Sequence, residues 1–436
     1  MTYRDQVSRG RVTPVLAALR RVYERIQPGS SKRLSCSTDV VAIDHLAKGL
    51  LSAPPNRMSS SGLSEGLPQS GDVSPSPAAD QSRLRVLHVG PDPEGAGGMA
   101  TVIGGLLSSS LARRHRLEVL PTYRTSDPLR RLAMFAGALV RLVAWCAGKG
   151  ARVVHVHATV RGSMYRKAVC VALAKALRRP VLVHVHAGAA EIEVFRRRLG
   201  PVRAGLVRRG IGMADRIVTV SEAGKLALER CFELRDVSVV PNAAPAAPES
   251  ARERSERDGV GILYLGGFAN PVKGGDVLLE ALASVVSAAQ SVRVLLAGPG
   301  ELPEAAGHLL EEHPSIRWVG WLDEHGKADA LDQSEVFVLP STSEGLPMAL
   351  LEAMAHGLAI VATDMGGVPD ILTDEVEALL VTPGDADGLA RAILELTEDP
   401  ARRDELARKA VARARRLNEY EVCGRLDAIY RELISG

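Results

Sequence analysis

From Leu84 onward, short apolar runs alternate with helix-length segments. The runs are Leu84–Val89, Val153–His157, Val181–Val185, Ile217–Val220 and Val237–Val240. Helix patterns fit Met99–Ser109, Leu132–Cys146, Tyr165–Leu177 and Glu222–Cys231. Buried strands alternating with helices predict a parallel sheet covered on both faces. Ala243–Asp258, rich in Ala, Pro and charge, reads as an interdomain linker. The pattern then restarts, with strands expected at Gly261–Leu265, Val292–Ala297, Ile316–Val319, Val336–Leu339, Ala359–Ala362 and Ala378–Val381. Helices fit Gly275–Ala289, Lys327–Ser334, Pro347–His356 and Ala386–Glu398, then the charged Pro400–Leu417 and a last one at Val422–Ile434. The expected fold class is α/β, with two doubly wound, Rossmann-like domains of similar size. Ligands of open α/β sheets bind beyond the carboxyl ends of the strands, so the cleft between the domains is the default site.

The first 82 residues follow a different pattern. Thr13 can cap a helix and Pro14 suits its first position. Val15, Leu16, Leu19, Val22, Tyr23 and Ile26 then fall on one stripe, among arginines that outnumber the acids. Such a basic amphipathic helix can lie on an anionic membrane surface, or pack on the protein. Residues 52–82 are dominated by Ser, Pro and Gly without periodicity, the composition of a disordered linker. The folded body is expected from Arg83. The longest apolar stretch, Leu132–Gly148, contains Arg141 and is short for a bilayer, so a buried helix is expected there.

Composition narrows the function classes. The chain has 436 residues with 54 basic and 51 acidic side chains, a net charge of +3, so nucleic acid is not an expected partner. Five isolated cysteines form no CxxC pair, which signals neither a zinc site nor a disulfide framework, and a reducing cytoplasm fits. Aromatics at 3% argue against stacking platforms for bases.

The strand-end loops carry the candidate chemistry. Gly95, Gly97 and Ala100 formally match the dinucleotide pattern GxGxxA. The strand ends near Val89, however, and the glycines come too late for its tight turn. Gly97-Gly98 reads better as a pair opening a helix whose N–H groups approach a phosphate or sugar oxygen. VHVHAG places His186 at a strand tip, where it can donate to a sugar hydroxyl or serve as a structural histidine. VHVHAT at His155 and His157 repeats the dipeptide pattern. In YLGGFANPVKGGDVLLEAL, a strand ends at Gly266-Gly267 and Lys273 precedes a helix start. A lysine there can neutralise a diphosphate, and it is one of only nine in the chain.

The most informative segment is VLPSTSEGLPMALLEAMAHGLAIVATDMGGVPDIL. Its strand stops at Pro340, Gly345 and Pro347 open a helix, and Gly357 ends it. Glu344 and Glu352 lie eight residues apart, about 10 Å along the axis at 1.5 Å per residue. One carboxylate can meet a sugar and the other a ribose, since carboxylates accept from vicinal hydroxyls. Two surface glutamates are the alternative, disfavoured for Glu352 by its apolar neighbours.

With VHVH, VTVSE, VVPN, LGGF…VKGG, LLAGPG, the Glu-x7-Glu helix and GGVPDIL in order, residues 83–436 resemble the retaining GT-B glycosyltransferases of family four (glycosyl transferases group 1). The resemblance implies metal-independent transfer of a sugar from a UDP- or GDP-sugar, with retention, to a polysaccharide or glycolipid acceptor. No cofactor beyond this donor substrate is implied. It implies an acceptor domain over residues 83–245, completed by helix 422–434, and a nucleotide-sugar domain over 246–421. Carried over by motif, Glu344 would contact the donor sugar, Glu352 the ribose, Lys273 the diphosphate and His186 the donor sugar from the first domain. Gly97 and Gly98 would border acceptor and phosphate; Gly267, Gly345, Leu346 and Pro347 would line the donor. Catalysis would rest on His186, Lys273 and Glu344. Phe268 departs from the pattern, which usually has arginine at that place.

The competing reading is a non-catalytic nucleotide-sugar-binding protein of the same fold, supported by Phe268; a third is an NAD enzyme built on the Gly95 loop. Family members often meet lipid-linked acceptors at a membrane face. Arg196, Arg197, Arg198, Arg203, Arg208 and Arg209 form a second basic region with an anionic membrane or simply solvent as its partner. The expected location is cytoplasmic, peripheral at the inner membrane face.

Overall fold

The computed structural model describes residues 83–95, 97–123, 128–246, 259–289 and 291–435. The basic N-terminal stripe, the Ser/Pro-rich segment and residues 247–258 of the linker lie outside the described residues.

Two six-stranded parallel sheets form the body. The first contains β1 (Arg85–Gly90), β2 (Arg116–Pro121), β3 (Arg152–Ala158), β4 (Val181–Val185), β5 (Arg216–Thr219) and β6 (Val237–Val239). Their spatial order is β2-β1-β3-β4-β5-β6. Its helices are α1 (Gly98–Ser108), α2 (Ser110–Arg114), α3 (Pro128–Cys146), α4 (Gly162–Ala176), α5 (Ala189–Arg197), α6 (Pro201–Ile211) and α7 (Glu222–Phe232). The predicted helix to Ser109 divides there because the Ser109 hydroxyl accepts from Leu111 N and caps a new turn.

The second sheet holds β7 (Val260–Tyr264), β8 (Val292–Leu296), β9 (Ile316–Trp318), β10 (Val336–Leu339), β11 (Ala359–Thr363) and β12 (Leu379–Val381). Its order is β12-β11-β10-β7-β8-β9, the doubly wound arrangement whose direction reverses between β7 and β10. Helices α8 (Gly275–Ala288), α9 (Glu304–Glu312), α10 (Glu324–Asp332), α11 (Met348–Ala355), α12 (Ala386–Glu398) and α13 (Pro400–Arg416) cover it. Pro347, predicted to lie inside a helix, has extended backbone at φ −71° and ψ 130° and precedes α11.

Each sheet is buried on both faces, as its continuous Val/Ile/Leu runs dictate. On one face of the first sheet, Leu87, Val156, Val183 and Ile217 pack against α3 to α7. On the other, Val86, Val153, Leu182 and Val218 meet α1, α2 and the last helix, α14 (Glu419–Ser435). Helix α14 thus crosses back from the second sheet and buries Val422, Cys423, Leu426 and Tyr430 on the first. Each such side chain contributes about 1.5–3 kcal/mol by leaving water. Among the described residues, no helix is long and apolar enough to cross a membrane.

Candidate functional site

The reversal in the second sheet places two loops side by side: the one after β7, ending at Lys273, and the one after β10, carrying Glu344. The contact is a salt bridge, Lys273 Nζ to Glu344 Oε1 at 2.6 Å, with the carboxylate mostly buried. Ser341 Oγ donates to the same oxygen at 2.9 Å. Lys273 sits in a short 3-10 turn, Pro271–Lys273, capped by the Asn270 side chain and closed by Gly274 at φ 68°. The buried Tyr264 hydroxyl donates to the Gly267 carbonyl at 2.8 Å and approaches that of Lys273. Tyr264 and Ser341 therefore hold the pair, although nothing in their local sequence marks them.

The β10 loop is held as tightly. Gly366, at φ 60°, packs its backbone onto the Glu344 carbonyl with no room for a Cβ. Gly367 packs likewise on Gly345. A side chain at Gly345 would meet the His186 carbonyl at 2.7 Å, and one at Gly188 the Glu344 carbonyl at 2.5 Å. The β10 loop and the β4 loop thus meet backbone to backbone. The Leu346 carbonyl accepts from Asn242 Nδ2 at 2.7 Å, a further bridge from the first domain. Across the same cleft, Gly98 at the start of α1 faces Met348 at the start of α11. Nothing lies within 4 Å of a Cβ built at Gly97. Two helix N-termini therefore meet the same opening, with the anion preference of their free N–H groups.

Glu352 is 8% exposed and pairs with Lys327 Nζ at 2.6 Å. Lys327 belongs to α10 and was not marked as a site residue by its sequence context. Gly267 stands in a left-handed turn wedged against Pro299, so its part is to shape the loop. Phe268 stacks toward Trp318 and Tyr264, with ring centroids at 5.2 and 6.2 Å. It packs against the core of the second sheet.

His186 stands at the cleft, partly exposed. Its Nε2 lies 3.0 Å from His157 Nδ1, and its Nδ1 is enclosed without a hydrogen-bond partner. Its main-chain carbonyl lies against Gly345. Strand alternation puts His88, His155, His157, His184 and His186 on one sheet face, where they stack with centroids as close as 4.2 Å. Two triples of these rings have nitrogens within 4.8 Å of one another. Within each triple, two of these nitrogens already face one another at hydrogen-bond distance, His88 with His157 and His157 with His186. Burial holds all five pKa values low, to about 3 for His88 and about 4 for His184.

Sequence inspection also missed Glu191 on α5, which accepts from Gly188 N at 3.2 Å. Burial raises its pKa, the Gly188 N–H opposes this, and the charges of Glu344 and Lys273 both act on it. A first-domain carboxylate thus shares the field of the Lys273–Glu344 pair.

Residues 96–247 match the family model for glycosyltransferase family 4, and residues 259–399 that for glycosyl transferases group 1. A phosphatidyl-myo-inositol mannosyltransferase of Mycobacterium tuberculosis is 28% identical over 76% of this chain and 89% of its own length. Its counterpart in Mycolicibacterium smegmatis is 35% identical over 41% of this chain, a match spanning only 47% of that protein. Among solved structures, sucrose-phosphate synthase of Thermosynechococcus elongatus superposes with a TM-score of 0.65 at 20% identity. That alignment covers 81% of this chain and all of the other. HepE of Anabaena in complex with UDP-glucose gives 0.54 at 17% identity, over 80% of this chain and 99% of that one. The chain belongs to the family-four glycosyltransferases and has their GT-B architecture of two Rossmann-like domains.

Proposed function

We propose that the protein transfers a sugar from a nucleotide-diphosphate sugar to a lipid-linked acceptor, with retention and without a metal. The observation that carries this reading is the Lys273–Glu344–Ser341 cluster at the reversal of the second sheet, whose β10 loop leads to Met348, which meets Gly98 at the N-terminus of α1. Glu344 would accept from donor sugar hydroxyls. Lys273 would turn from that carboxylate to the leaving diphosphate, whose charge grows in the transition state. With Phe268 in the core, the remaining neutralisation falls to the N–H groups at Gly98 and Met348. The diphosphate would accept the proton of the acceptor hydroxyl on the face from which it leaves. Glu352 and Lys327 would set the ribose, and Gly97, Gly98 and the backbone of Gly345, Leu346 and Pro347 would border donor and acceptor.

The donor is argued from relatives. A Corynebacterium glutamicum relative is named as a GDP-mannose-dependent mannosyltransferase, and the HepE structure holds UDP-glucose. The lipid-linked acceptor rests on the phosphatidylinositol relatives and on α6. That helix exposes Val202 (76%) and Leu206 (44%) beside Arg203 and Arg209, an apolar and basic face suited to an anionic bilayer. Not all of the basic cluster is available: Arg196 donates to the Cys231 carbonyl and Arg208 pairs with Glu233.

Purified protein incubated with a panel of sugar nucleotides and inositol phospholipid vesicles should release nucleotide diphosphate from one donor. Lys273→Ala and Glu344→Ala should each lower turnover at least 100-fold, the scale of losing one transition-state contact. Full activity in both would refute the site; a single anomer inverted in the product would refute retention.

A further inference from the structure

The histidine file and Asn242 lie outside the donor contacts described above, yet they reach the donor loop. His88 Nδ1 lies 2.9 Å from His157 Nε2, and His157 Nδ1 lies 3.0 Å from His186 Nε2. His186 Nδ1 and Asn242 Oδ1 are both buried and neither makes a hydrogen bond in this structure, although the two side chains are near enough to interact. Asn242 Nδ2 donates to the Leu346 carbonyl at 2.7 Å. We propose that Asn242 and the His88–His157–His186 file form one polarised hydrogen-bond relay that positions the donor loop from inside the first domain.

Its polarity follows from its ends. A carbonyl only accepts, so Asn242 must present its amide to Leu346 and its oxygen to His186. That oxygen calls for a proton on His186 Nδ1, which leaves Nε2 as an acceptor. His157 must then carry its own proton on Nδ1 and accept at Nε2, and His88 must donate from Nδ1. Each neutral imidazole has one donor and one acceptor, so a single orientation runs the whole length. The far end leaves the His88 Nε2 lone pair unpartnered, and a buried acceptor without a partner is better tolerated than a buried N–H. The relay thus links β1, β3 and β4 to the loop that carries Glu344. Asn242 and His157 are positioning residues, since neither touches the Lys273–Glu344 pair.

The role in the donor loop rests on the proposed function; the proton positions do not, and that separates the two tests. In full-length protein labelled with ¹⁵N-histidine at neutral pH, two-bond nitrogen–proton correlations should place the protons of His88, His157 and His186 all on Nδ1. Free imidazole favours the other nitrogen, so the pattern is diagnostic. Asn242→Ala should release the His186 proton from Nδ1. The change should pass to His157 and His88, because two N–H groups cannot face each other across 3.0 Å. The same variant should raise the donor KM about fivefold to tenfold with a smaller change in kcat, the scale of one net hydrogen bond. A wild-type His186 proton on Nε2 overturns the relay without any variant. So does an Asn242→Ala protein whose three tautomers and donor KM are unchanged. A chain that transfers no sugar yet shows the three Nδ1 protons refutes the proposed function alone.

Discussion

Acidification should unfold this protein earlier than its near-neutral charge suggests. His88, His155, His157 and His184 are at most 2% exposed, and burial lowers the pKa of each. In the unfolded chain they return to about 6.5. The unfolded state therefore binds more protons between that value and the folded values, about 3 for His88 and about 4 for His184. The stability they allow is fully present above pH 6.5 and is lost as pH falls toward the folded values. One unit below 6.5, each imidazole costs about 1.4 kcal/mol, and the four together about 6 kcal/mol. That is comparable to the whole stability of an ordinary domain, about 5–15 kcal/mol. Urea midpoints followed by circular dichroism from pH 7.5 to 5.0 should fall steeply below 6.5. His184→Leu removes two buried nitrogens without well-formed hydrogen bonds. It should shallow the slope by about one proton's worth and leave the neutral protein no less stable. Midpoints that stay flat to pH 5.5, or a slope unaltered in His184→Leu, would refute the reasoning.

Lys327→Ala leaves the buried Glu352 carboxylate without its 2.6 Å partner. Nucleotide affinity measured by calorimetry should fall roughly tenfold, for a loss of about 1–3 kcal/mol. Gly366→Ala forces a side chain into left-handed backbone, at about 1–2 kcal/mol, and drives a methyl onto the Glu344 carbonyl. Donor turnover should drop at least tenfold while the far-ultraviolet spectrum is retained. Val202→Asp combined with Leu206→Asp should abolish flotation on anionic vesicles and leave release of nucleotide diphosphate from a soluble acceptor assay unchanged.

The strands were readable because parallel strands buried on both faces need unbroken apolar runs, as at Val153–His157 and Val336–Leu339. Strand β2 escaped the pattern as an edge strand with only Leu120 fully buried. Helices α5 and α6 escaped because their outward arginines hide the stripe formed by Ile192, Phe195, Ala204, Val207 and Ile211. Lys273 and Glu344 were legible since glycines flank both and each follows a strand. Lys327, Ser341, Tyr264 and Asn242 act through partners brought near only by folding. The histidine file had a signal that went unused: VHVH at two adjacent strands puts all its histidines on one face, and parallel pairing must stack them.

Helix α14 means that the first sheet is completed only after the second has been made. Val86, Val153, Leu182 and Val218 are all synthesised before residue 220, while part of their cover, Leu426 and Tyr430, follows only after the second sheet. At about 5–20 residues per second, that apolar face waits roughly 10–40 s on the ribosome before its lid emerges. Over that interval the nascent chain carries a partly covered hydrophobic surface, shielded by α1 and α2 alone, and a holdase has a defined patch to bind. A stop codon ahead of Glu419 would leave the second sheet intact and that face of the first covered by α1 and α2 alone.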